Sequence, residues 1–123
     1  MEDLEQPQST ELISSFNESD FAKEVFSQLT KEFGKVGILI EFNEDDLATF
    51  EAFKERLSEE LDLIMRSSSN RVDQLFYLAD IPESKVKTAI QDAENPVDEL
   101  AKMLLVRAAE KVNFKRKYKL GLL

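Results

Sequence analysis

The stretch that most limits how this chain can fold is its last third, NPVDELAKMLLVRAAEKVNFKRKY, from Asn95 to Tyr118. Asn95 suits a helix cap, and Pro96 has its φ preset for a first helical turn. Asp98 and Glu99 match the positive end of a helix dipole. Val97, Leu100, Ala101, Leu104, Leu105, Ala108 and Val112 then recur at three- and four-residue steps. Met103 and Val106 widen that stripe until little of the middle of the helix can face water, so several other elements must pack around it. The fold is therefore built around a long C-terminal core helix.

The remaining elements follow from the same kind of pattern. Phe16-Asn17 and Phe42-Asn43 each pair a staple residue with an asparagine cap, followed by acidic residues and Phe21 or Leu47. The two matches do not continue in register, which makes them one capping device used twice, with no internal repeat. They open helices over about 18–33, ending at Gly34, and about 44–66. Ser67, Ser68, Ser69 and Asn70 break the second, and Ser69 or Asn70 can cap a third over about 71–80. Phosphorylation of these serines would place charge at a helix start, but a plain polar linker is the stronger reading. Asp80 and Glu83 have the spacing of a capping box ahead of a fourth helix over about 82–93, presenting Val86, Ala89, Ile90 and Ala93.

Between the first two helices lies an ambiguous run. Val36, Ile38, Ile40 and Phe42 alternate as a strand would, yet no second strand candidate exists in the chain to pair with them. The segment is either an extended connection or a strand whose partner is another copy. Few glycines and prolines, three of each, also argue for helices with short connections. The expected fold is all-α, a bundle-like domain of about five helices over 16–119, with one short extended segment near 36–42. Residues 1–15 read as a disordered acidic N-terminus and 120–123 as a tail.

Composition bears more on chemistry than on shape. There is no histidine and no cysteine. The commonest general base, the thiolate nucleophile, cysteine-based zinc and the Glu-x-x-His ligands of di-iron bundles are all missing. Gly34, Gly37 and Gly121 form no phosphate-cradling loop. Glu41, Glu44, Asp45, Asp46, Glu51, Glu55, Glu59, Glu60 and Asp62 are plentiful, but most fall opposite an apolar stripe, as solvated surface does. They also lack the spacing of an EF-hand. No enzyme activity, cofactor or metal is expected. Phenylalanine stripes at helical spacing read as core before they read as a ligand pocket.

The charge is uneven. The chain carries −9 overall, but residues 101–123 hold seven basic side chains and one acidic, +6, which leaves −15 on residues 1–100. No apolar run approaches the roughly 20 residues a spanning helix needs, and the first residues lack the basic-then-apolar start of a secretory signal. A membrane partner is not expected, and a reducing cytoplasm is the simplest setting.

The second half, YLADIPESKVKTAI through LLVRAAEKVNFKRKY, is similar to the C-terminal part of some small bacterial proteins, a likeness that implies no activity.

Candidate contact residues are Lys111, Phe114, Lys115, Arg116, Lys117, Tyr118 and Lys119. In one reading the cations meet phosphates while Phe114 and Tyr118 stack on bases. In the stronger reading the cations complement the helix dipole and the acidic body, and both aromatics pack. The leading expectation is a non-enzymatic helical module that docks a protein partner or a second copy of itself. The alternative is a nucleic-acid-associated regulator using the basic end.

Overall fold

The computed structural model describes residues 7–121, an all-helical bundle. In chain order the elements are α1 (Pro7–Ser15), α2 (Ser19–Lys35), a 3₁₀ turn (Asp45–Leu47), α3 (Phe50–Ser67), α4 (Ser69–Leu78), α5 (Glu83–Asp92) and α6 (Pro96–Lys119). No strand occurs among the described residues.

The long final helix is the hub. Asn95 caps it as expected, its Oδ1 accepting from the Asp98 N–H at 3.2 Å. Its buried face carries Leu100, Ala101, Leu104, Leu105, Ala108, Ala109 and Val112. That face meets α1, α2, α3 and α5. Burying each of these leucines fully is worth about 1.5–3 kcal/mol relative to leaving it exposed. Lys54 of α3 reaches Asp98 at 3.2 Å and ties the start of α6 to the start of α3. Phenylalanines fill the space between α2 and α3. Phe16 stands edge-on to Phe21, Phe50 and Phe53 at 5.3–5.7 Å, and Phe26 and Phe42 pack on Phe53. They are core, packed ring on ring.

Several local expectations are corrected. Residues 7–15 are helical where the sequence pointed to disorder, because Leu12 and Phe16, one turn apart, are both buried and α1 lies against α6. The expectation of disorder for the first six residues lies outside the described ones, as does the end of the tail, 122–123. Gly34 does not stop α2. The helix runs to Lys35 and closes on Gly37 at φ +80°, with Gly37 and Ile38 N–H groups donating back to Gly34 and Phe33 carbonyls. Asn17 is not its cap either: Glu18 takes that place and makes no side-chain cap bond.

The expected helix over 44–66 is split. Asn43 and Asp46 do bond reciprocally, each N–H to the other's side-chain oxygen at 2.9 Å, but they close only the 3₁₀ turn. Thr49 then goes extended and its Oγ1 caps α3 by accepting from the Ala52 N–H. At the other break Ser68, rather than Ser69 or Asn70, precedes α4, without a side-chain cap bond. Asp80 and Glu83 form no capping box. Asp80 sits at φ +63° and ends α4, the Ile81 N–H reaching back to the Phe76 carbonyl and the Asp80 N–H to that of Tyr77. On α5 only Ala89 is buried, and Ile90 is half exposed at 50%.

The alternating run is an extended connection. Ile40 is buried, Ile38 and Phe42 half-buried, while Leu39 and Glu41 face outward, so the period of two survives without a sheet.

Candidate functional site: the last turns of the final helix

The seven candidate residues, Lys111 to Lys119, occupy the end of α6, and its packing divides them into two sets. One set turns inward onto α2. Lys111 Nζ donates to Glu32 Oε2 at 2.8 Å and to the Leu78 carbonyl at 3.3 Å. Lys115 Nζ donates to Gln28 Oε1 at 2.9 Å. Arg116 grips Glu24 with two bonds, Nε to Oε1 at 3.1 Å and Nη2 to Oε2 at 2.9 Å, and its guanidinium lies 5.1 Å from the centre of the Phe21 ring. Glu24, Gln28 and Glu32 are successive i, i+4 positions, so one edge of α2 is a polar rail for the end of α6. The hydrogen bond from Arg116 holds the Glu24 carboxyl below its ordinary value; burial opposes it, and the charges of Arg116 and Lys119 reinforce it. The Arg116 guanidinium is held correspondingly above its own.

The innermost rung of this rail is a buried charge. Glu32 is 4% exposed, and its Oε2 takes both Lys111 and the Gln28 amide, the latter at 2.8 Å. Its Oε1 has no hydrogen-bond partner among the described residues. The sequence does not single out Glu32 as a residue of interest. A signal was there nonetheless: position 32 falls on the stripe of Val25 and Leu29, and an acid on a core stripe needs a counter-charge.

The second set faces water. Phe114 is 62% exposed and Tyr118 70%, so the expectation that both aromatics pack is corrected. They stand one turn apart on the same face, because the core side of the helix is taken by Ala108, Ala109 and Val112. Lys117 lies between them, and Lys119 is exposed at the helix end. One and two turns earlier on that face are Glu110 and Arg107, joined at 3.1 Å, with Arg107 also 3.7 Å from Asp80. Between this face and α1 runs an open groove of about 660 Å³, lined by Leu12, Ser15, Arg107, Phe114 and Lys117 among others.

No family model, curated protein or solved structure matches the chain. The likeness of its second half to small bacterial proteins therefore finds no support there.

Elsewhere the chemistry is sparse. No group of three metal-ligating side chains comes together among the described residues. The acidic residues around α3 are largely solvated, as their placement opposite the stripe implied. Asp46 and Glu60 are half-buried and share Arg56, whose guanidinium stands 4.7 Å from the Phe42 ring. No described helix is long and apolar enough to cross a membrane.

Proposed function

We propose that this chain is a non-enzymatic helical module that works by docking protein, and that its docking face is the outer side of the last turns of α6, with Phe114, Lys117 and Tyr118 at its centre. The observation that carries the reading is the exposure of two neighbouring aromatics in a chain whose other phenylalanines are buried or half-buried. Aromatic side chains offer a large contact area at small conformational cost, and anchors of this kind dominate interface energies. The absence of histidine and cysteine supports the non-enzymatic part, and a cysteine-free chain suits a reducing cytoplasm.

Electrostatics favours protein over nucleic acid as the partner. Lys111, Lys115 and Arg116 are engaged by α2, which leaves Lys117 and Lys119 as the outward cations of the cluster. Behind them stand the −15 of residues 1–100, a field that repels a phosphate backbone.

The test is a photo-crosslinking amino acid placed at Phe114 in the full chain in cells, with Tyr77 on α4, 80% exposed, as the control position. Protein adducts from position 114 that are absent from position 77 are expected. No protein adduct at 114 would end the reading. Nucleic-acid adducts there, with binding that weakens steeply as salt rises, would replace it with the regulator alternative.

A further inference from the structure

We infer that the occupant of this face is a second copy of the same chain, with the two α6 helices antiparallel about a two-fold axis beside Phe114. The inference rests on the reading of that face as a protein-docking surface and adds the identity of the partner.

A two-fold contact must be complementary to itself, and this face meets that condition in both charge and shape. Glu110 and Lys117 lie one turn before and one turn after Phe114, on the same side of the helix. When two such helices run antiparallel about an axis level with the midpoint between Asn113 and Phe114, Glu110 of each copy comes opposite Lys117 of the other. Two opposite-charge contacts form at once. Like charges end up about 10 Å apart, from seven residues at a rise of about 1.5 Å, where salt largely screens them. Glu110 is free to turn outward because its own-chain partner Arg107 has a second carboxylate, Asp80, within 3.7 Å.

Shape follows the same symmetry. A projecting ring, Phe114, and an open groove against α1 stand side by side on one face. With the axis beside Phe114, the two rings meet each other across it, and the grooves they border lie on either side of that contact. An unrelated acidic or basic partner would satisfy one charge of the Glu110–Lys117 pair and oppose the other, whereas a second copy satisfies both.

Sedimentation velocity on the full chain over a concentration series tests this. Such a small interface predicts reversible dimerisation at about 10–100 µM. Glu110→Lys alone and Lys117→Glu alone each set like charges face to face twice, so each should weaken association by about tenfold or more. Mixing the two variants restores opposite charges at both contacts, and a mixed dimer should form within about threefold of the parent affinity. Circular dichroism of the exposed-site variants should match the parent, separating lost association from lost folding. A parent that stays monomeric throughout the series overturns the inference, and so does a mixture no tighter than the separate variants. If the parent is monomeric while position 114 still crosslinks to another protein, only the two-fold contact fails. If position 114 crosslinks to no protein, the docking reading fails with it.

Discussion

Removing the ammonium of Lys111 should be among the most damaging single changes outside the apolar core. Lys111→Met keeps most of the side chain's volume and deletes its charge, together with the hydrogen bond to the Leu78 carbonyl. It leaves the Glu32 carboxylate, 5% exposed as a side chain, with the Gln28 amide as its remaining hydrogen-bond donor. Breaking a buried pair from one side costs about 3–5 kcal/mol, because the surviving charge has lost both water and its counter-ion. Glu32 is already incompletely satisfied, since Oε1 has no partner among the described residues, which places the loss toward the upper part of that range. Against a total of roughly 5–15 kcal/mol, the variant would unfold at a far lower urea concentration. The double variant Glu32→Leu with Lys111→Met should behave differently. It removes both charges, and replacement of such pairs by apolar residues is often neutral or stabilising by about 1–4 kcal/mol. The assay is urea denaturation of the parent, both single variants and the double, read as a double-mutant cycle. A Lys111→Met protein within about 0.5 kcal/mol of the parent, the usual range for solvated surface positions, would refute the reasoning. A double variant as unstable as the worse single would refute it equally.

Leu104 is completely buried at the centre of α6, so Leu104→Ala should cost about 2–5 kcal/mol by thermal or urea melts, the lost transfer energy plus a cavity. Gly34 and Gly37 should respond oppositely to alanine, although an added Cβ meets nothing within 4 Å at either position. Gly34→Ala, inside the helix, should stabilise by about 0.4–1 kcal/mol, and Gly37→Ala, at φ +80°, should destabilise by about 1–2 kcal/mol. The Glu24–Arg116 pair should weaken in acid. Since the folded state holds Glu24 below its ordinary value of 4.5, its contribution is complete above that pH and fades as the pH falls through the lowered value. Carboxyl chemical shifts followed by NMR should give a lower midpoint for Glu24 than in an Arg116→Gln variant.

How much of this was legible in the sequence varies with the range of the interaction. The helix from Asn95 onward was, because cap, proline and apolar steps agree and no other element competes for those residues. Helix ends were less so. Gly34 and Gly37 look alike in a sequence, and which one ends α2 depends on where Phe33 and Val36 find burial. Likewise, nothing local shows that Thr49 rather than Asn43 opens the long helix, since both can cap and Phe50 decides by packing on Phe16. For the candidate residues, the inward turn of Lys111 and Arg116 depends on Glu32 and Glu24, which lie 79 and 92 residues away. Composition could say that the acidic body and the basic end would attract, but not which cations would be used. The exposure of Phe114 was unreadable for a related reason. Apolar residues surround the last helix so widely that its outer face emerges only once α1, α2, α3 and α5 have taken their sides.

The central place of α6 also has a consequence in time. Of the elements described, it is the last to be synthesised, yet α1, α2, α3 and α5 all lean on it. Domains of this size complete folding far faster than a ribosome adds residues, at about 5–20 per second, so the earlier helices wait through the roughly one to five seconds that the 24 residues of α6 take to be added. During that interval Val25, Leu29, Leu57 and Leu61, fully buried in the finished fold, lack their largest partner. The nascent chain should therefore remain open to chaperones and proteases until α6 has cleared the exit tunnel, and then close in one step.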